Sequence, residues 1–231
     1  MKRFYREVSV EGGAVLLDGK AIRTPRGADL LLPTTALAEA IADEWRAQGD
    51  EIVPAPLTKL ANTAIDGIVP RRDEVIAEIV TFARHDHLCY RTDRPAELVA
   101  RQNAAWDPLL DWAAERFGAP LVTAHGVTSI AQPDASIAAL REAVEGLDAF
   151  ALAALHVEAS ICSSLVLALA VADGRLSAAE AFAVSQVDER FQAERWGVDA
   201  EAQSRALRLA EELDAAARFM DLVRTTNRDR P

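Results

Sequence analysis

A chain of 231 residues is long enough for one large domain or two modest ones, and needs neither disulfides nor metal to hold a core. At this length folding buries roughly 70–75% of the surface of the unfolded chain. With half of its residues hydrophobic and 26% charged, it excludes disorder as its main state, except in the polar tail 225–231. Its 36 Asp and Glu against 25 Lys and Arg, a formal net charge of −11, argue against nucleic acid and anionic membranes as partners and point to a protein with basic patches. The same acidity also maintains solubility.

The first third reads as β-rich. Segments 4–10, 14–17, 20–23 and 29–32 are short strand candidates, separated by Gly12-Gly13, Asp18-Gly19 and Pro25-Arg26-Gly27. Asp18-Gly19 is a two-residue hairpin signal, because a type I′ turn needs positive φ at both central positions. The period then changes. Thr34 and Thr35 are N-cap candidates, with Leu37, Ile41 and Trp45 following at helical spacing before Gly49. The two prolines in 50–57 read as an extended connector.

From about Arg71 onward the pattern is helical. Val75, Ile76, Ile79, Phe82 and Ala83 form one apolar face. A second segment starts near Glu97, and Asp107-Pro108 within it has the form of an N-cap followed by proline at the first helical position. An irregular stretch, 119–133, precedes a short helix over 134–145. Residues 148–172 are apolar almost all round, the pattern of a helix buried in a bundle. Ser177-Ala178-Ala179-Glu180 is a capping box opening a helix to Gly197. A last helix over 199–224 carries Leu209, Leu213, Ala216, Met220 and Val223 along one stripe. Strands followed by helices predict an α+β chain, with a β-containing domain with one helix over 1–68 and an all-α domain over 69–231. Pro54 and Pro56, or the turn 67–70, mark the boundary between them.

Chemistry-bearing motifs are sparse. Gly13 to Lys20 superficially follows a phosphate-binding loop, but its spacing is one residue too long and Ala21 stands where a Mg²⁺-binding hydroxyl belongs. His85-Asp86-His87 brings two imidazoles together, while His125 and His156 stand alone, so no complete metal-ligand set forms. Histidines at a helix C-terminus complement its dipole instead. Cys89 and Cys162 are far apart and beside apolar residues, as buried free thiols in a reducing compartment would be. The longest uncharged apolar run, 159–172, is too short to span a bilayer. Residues 1–5 lead straight into a strand pattern, with no secretion or transit signal. Neither cofactor, metal nor small-molecule substrate is expected. Paired carboxylates such as Asp43-Glu44, Glu74/Glu78 and Glu211-Glu212 leave a hydrolase as the alternative enzyme reading. A structural subunit of a complex is the other.

Three stretches are dense in aromatic and polar residues together: Glu44 to Gln48; Leu88 to Arg91 with Gln102 and Trp106 to Trp112; and Val187 to Gln192 running on to Trp196-Gly197. With Arg3-Phe4-Tyr5, Leu17-Asp18-Gly19-Lys20, Thr24-Pro25, Leu60-Ala61-Asn62-Thr63 and Asp66, their order and spacing resemble the family of assembly chaperones that bind the α subunit of the F1-ATPase. The resemblance implies a small β-containing amino-terminal domain and a helical carboxy-terminal one. It also implies a non-enzymatic chaperone that holds free α subunit until the β subunit takes over the same surface. Eukaryotic members carry a mitochondrial targeting segment for the matrix; without one, a bacterial cytoplasmic protein or a trimmed chain is expected. The family's acidic, histidine-containing continuation after the Trp-Gly pair is replaced here by Val198-Asp199-Ala200-Glu201-Ala202, so nothing transfers beyond Gly197.

Helical spacing proposes a binding face. On one helix opened by Ser177, Val184, Val187 and Phe191 share the core side. Ser185, Glu189, Gln192 and Trp196 share another, with Phe182 and Asp188 beside them. A carboxylate between aromatics, on a face the core does not need, suits a protein-binding surface. The resemblance agrees, since the family treats the acidic position seven residues before Trp-Gly, here Glu189, as functional.

Overall fold

The computed structural model describes residues 2–53, 55–126 and 130–225, so most of the polar tail, 226–231, lies outside the described residues. Chain contacts divide the protein into two compact units. One is residues 1–72 with 148–154 and 218–231; the other is 73–147 with 155–217. Two segments that sequence patterning assigned to the carboxy-terminal domain are thus part of the first unit.

In the first unit, β1 (Val8–Glu11), β2 (Ala14–Leu17) and β3 (Lys20–Ala21) form an antiparallel sheet in the order β1-β2-β3. Val15 and Leu17 of β2 are buried and their neighbours are not, the alternation of a one-faced sheet. The turn after β2 has positive φ at both Asp18 (49°) and Gly19 (76°), and Asp18 earns its place twice. Its carboxylate accepts from the backbone N–H groups of Arg6 (3.0 Å) and Glu7 (2.8 Å), and these bonds hold it below the ordinary aspartate range. The candidate strand 29–32 makes only isolated bridges, Ala14 with Leu31 and Arg23 with Asp29. At Gly13 a side chain would come within 3.0 Å of the Leu32 carbonyl oxygen.

Helix α1 (Thr35–Arg46) starts at Thr34, whose hydroxyl accepts from Leu37 N–H. It lays Leu37, Ile41 and neighbouring alanines into the core. The expected extended connector ends earlier than predicted, because α2 (Pro56–Asn62) begins at Pro56. Its own N-cap, Ala55, offers no side chain. Glu44 caps it from α1 instead, accepting from Leu57 N–H (2.7 Å), Thr58 N–H (2.9 Å) and the Thr58 hydroxyl (2.8 Å). Trp45 Nε1 donates to the same hydroxyl oxygen at 3.2 Å. A six-residue π-helical turn, Thr63–Ile68, follows.

The second unit is mostly helical, with nearly all of α3 (Arg72–Arg84), then α4 (Ala96–Phe117), α5 (Asp134–Glu145), α7 (Leu165–Ala172), α8 (Ala178–Ser185) and α9 (Val187–Trp196), together with α6 (Ala149–Cys162) from residue 155 and α10 (Ala200–Arg224) up to residue 217. It is not wholly helical: β4 (Tyr90–Arg91) pairs in parallel with β5 (Ala124–His125), and β5 lies inside the stretch expected to be irregular. Asp107-Pro108 does not start a helix. Helix α4 runs unbroken through Pro108 to Gly118 in the left-handed conformation, and Asp107 pairs with the Arg91 guanidinium at 2.8 Å.

The apolar run 148–172 is two helices rather than one. Ser163 takes positive φ (49°) and Ser164 caps α7 through Leu167 N–H. Asp86 makes this break. Fully buried, it accepts from Val166 N–H (3.0 Å) and from Leu88 N–H (3.1 Å). A helix N-terminus facing a buried carboxylate is better capped than one continuing through it. So the residue between the two histidines is a tertiary brace. His87 meanwhile lies edge-on to Trp106 at 4.9 Å. Among the described residues no group of three or more His, Cys, Asp or Glu could hold a metal.

Burial pushes the Asp86 carboxyl up to about 6, against the donors of Val166, Ser164, Leu88 and Leu165, which pull it down. A carboxyl whose folded pKa is raised contributes stability at pH below its unfolded value and loses it as pH rises through the folded one. Raising it from 3.8 to about 6 is worth roughly 3 kcal/mol. Denaturant titrations of the wild type and Asp86→Asn at pH 7.5, 6 and 4.5 will therefore show their stability difference moving in favour of the wild type as pH falls. A flat difference, or one moving the other way, contradicts this account of the brace.

Candidate functional site

Helix α9 is held by α4 along one side. Its buried face centres on Phe191, 3% exposed. The guanidinium carbons of Arg101 and Arg195 lie 5.2 and 4.3 Å from the centre of that ring. The two arginines are linked through one carboxylate: Glu97 accepts from Arg101 at 2.9 Å and from Arg195 at 2.8 Å, and Arg101 also reaches Glu194 at 2.7 Å. Arg195 first, and then Arg101, hold the Glu97 carboxyl below the usual glutamate range. Deeper in, buried Gln102 donates to Asp188 at 2.7 Å while its carbonyl accepts from Thr92 N–H at 2.9 Å. Helix α9 is thus a fixed element whose outer face is free to serve something else.

That outer face carries three of the six residues proposed from sequence. Glu189, Gln192 and Trp196 follow one another at i, i+3 and i+7 and are all exposed, Trp196 by 77%. Glu189 makes no ion pair or hydrogen bond with the other described residues. The other three lie elsewhere. Asp188 is half-buried and spent on Gln102. Ser185 is 3% exposed and donates to the Phe182 carbonyl at 2.9 Å. Phe182 is half-buried against the core.

Ser185 and Phe182 leave the face because the helix opened by Ser177 does not run to Gly197. It ends at Ser185, and Gln186, at φ −106° and ψ 21°, restarts it as α9. The predicted capping box is present, with Glu180 accepting from Ser177 N–H at 2.8 Å. The break is supported from below, where Trp106 Nε1 donates to the Val184 carbonyl at 3.0 Å and so satisfies an end-of-helix acceptor.

Sequence reasoning missed two exposed apolar side chains next in the chain, Val198 (64%) and Leu207 (61%). The signal was available for Leu207, which stands off the stripe of Leu209, Leu213, Ala216, Met220 and Val223. Conversely, several motifs that stood out in sequence are structural. Arg91, 3% exposed, donates to Leu88 O (2.9 Å) and Asn103 (3.1 Å) and stacks 5.1 Å from the Trp106 ring centre. Thr24 and the Arg26 backbone bind the Asp66 carboxylate at 2.7 and 3.0 Å. Of the paired carboxylates, Asp43 goes to Arg46 and Glu44 to the cap of α2.

A braced helix offering an exposed tryptophan and an uncommitted glutamate, in a strongly acidic chain, has the make-up of a protein-binding surface rather than of a catalytic site. Residues 2–114 match the family model described as ATP12 chaperone protein. The crystal structure of Atp12 from Paracoccus denitrificans superposes with a TM-score of 0.92 at 45% identity, covering 96% of this chain and 98% of that one. A lysine-for-aspartate mutant of P. denitrificans Atp12p matches equally well in TM-score (0.92), at 44% identity over the same shares. The mitochondrial protein atp12 of Schizosaccharomyces pombe is 25% identical over 214 residues, 85% of this chain and 74% of its own length. The chain belongs to the ATP12 chaperone family, and its α+β architecture is that family's.

Proposed function

We propose that this protein is a chaperone for assembly of the F1 sector of ATP synthase, holding the unassembled α subunit on the outer face of α9 until the β subunit replaces it. The observation that carries the reading is Trp196, 77% exposed on a helix braced by α4, beside a glutamate with no partner among the described residues. A free subunit of a hetero-oligomer exposes apolar interface that aggregates, and covering it requires aromatic contact area and a selective charge rather than chemistry. Family membership supports the chaperone role; the α subunit as client rests on the resemblance in sequence. The bacterial cytoplasm is the proposed location. No helix among the described residues is long and apolar enough to cross a membrane.

Light scattering during refolding of the α subunit tests this. A molar excess of the protein suppresses the scattering and yields a complex on a sizing column, and neither occurs with assembled F1. Unchanged scattering without a complex removes the reading. Retention in the finished assembly favours a structural subunit instead.

A further inference from the structure

The first unit carries a feature that the outer face of α9 does not use. An open groove of about 510 Å³ runs between Trp45 of α1, the extended residues Ile52 and Val53, and the wall made by α2 and the π-helical turn. This lies within the roughly 300–1,000 Å³ range of ligand pockets. Its apolar rim is exposed, with Val53 57% accessible, and π-helical turns are frequent at functional sites. Inside it, the Asn62 Oδ1 atom is buried and accepts no hydrogen bond from the described residues. A buried carbonyl of this kind wants a donor, such as a peptide N–H.

Charge narrows the occupant further. In a chain of net charge −11, the groove is lined by two cations, Lys59 and Arg26, against one anion, Asp66. Lys59 has no anionic partner among the described residues. Arg26 gives its Nη1 to the Asp66 backbone carbonyl at 2.9 Å, while the Asp66 carboxylate is occupied by Thr24 and the Arg26 backbone.

We propose that this groove is a second docking site, taking an extended protein segment that places an apolar side chain against Trp45 and Val53 and a carboxylate on Lys59 and Arg26. A backbone N–H of that segment satisfies Asn62. The proposal does not depend on which protein α9 holds.

The test uses the full chain and three fluorescein-labelled dodecapeptides in a Gly-Ser background, with Leu-Leu-Glu-Glu, Leu-Leu-Lys-Lys or Ser-Ser-Glu-Glu at the centre. Anisotropy will show the first binding about tenfold or more tighter than either other. It will shift the indole N–H resonance of Trp45, assigned with Trp45→Phe, and leave that of Trp196 in place. Lys59→Glu will reverse the preference between the acidic and basic peptides, and Val53→Ser will weaken the first. Equal affinities, no binding at millimolar peptide, a shift at Trp196 instead of Trp45, or indifference to Lys59→Glu each overturns the proposal. So does self-association of the protein that Lys59→Glu abolishes, since the occupant is then a second copy of this chain.

Discussion

Glu189→Lys will lose α-subunit capture, by about tenfold or more, while the protein stays folded. Glu189 is exposed and has no partner among the described residues, so no ion pair among them breaks. Its one structural contribution is its place in the first turn of α9, where a negative charge suits the helix dipole. Reversing that charge costs at most about 1 kcal/mol. In a complex the same reversal sets a lysine against whatever cation the client presents. A like charge at a desolvated contact costs several-fold more than it does in water. Glu189→Gln keeps the shape and removes only the charge, so it will fall between the wild type and the lysine variant. Scattering assays with refolding α subunit measure the loss, and urea titration measures the fold. A lysine variant that binds normally removes Glu189 from the contact. One that unfolds shows that the residue serves the fold.

Trp106→Ala will lower stability by roughly 3–5 kcal/mol, the range for truncating a fully buried aromatic. Trp106 is 0% exposed and sits where three separate devices meet. Its ring receives the edge of His87 and the guanidinium of Arg91, and its Nε1 holds the Val184 carbonyl at the end of α8. Removal leaves a cavity, uncovers a nearly buried cation and orphans an acceptor. Against a total stability of about 5–15 kcal/mol for an ordinary domain, that is a large share. Trp106→Phe keeps one aromatic ring but loses the pyrrole part of the indole and its donor, so it will cost about 2–3 kcal/mol, less than the alanine variant. Because the lost hydrogen bond supports the junction of α8 and α9, Trp106→Phe will also weaken client capture more than its stability cost explains. Urea midpoints that differ from wild type by less than about 1 kcal/mol for Trp106→Ala would refute this reading of the core.

The sequence alone determined those features whose causes lie within a few residues. The Asp18-Gly19 turn, the Thr34 cap of α1, the Ser177-Glu180 capping box and the stripe of α10 were legible, because a turn dihedral, a cap or a helical period is a local property. The grouping of Glu189, Gln192 and Trp196 was legible for the same reason, since all three lie within the uninterrupted α9. Tertiary structure decided where apolar runs break. Pro56 suits a first helical position, but no capping side chain precedes it to mark the start of α2, since the cap is Glu44 on another helix. Nothing within 148–172 marks the break at Ser163 as clearly as the buried carboxylate of Asp86, supplied from a distant turn. The step at Gln186, stabilised by Trp106 from α4, turned Phe182 and Ser185 inward and left them off the face that period alone had given them. In each case a distant polar group satisfies backbone donors or acceptors that a continuing helix would otherwise have paired internally, and no window of sequence around the break contains that group.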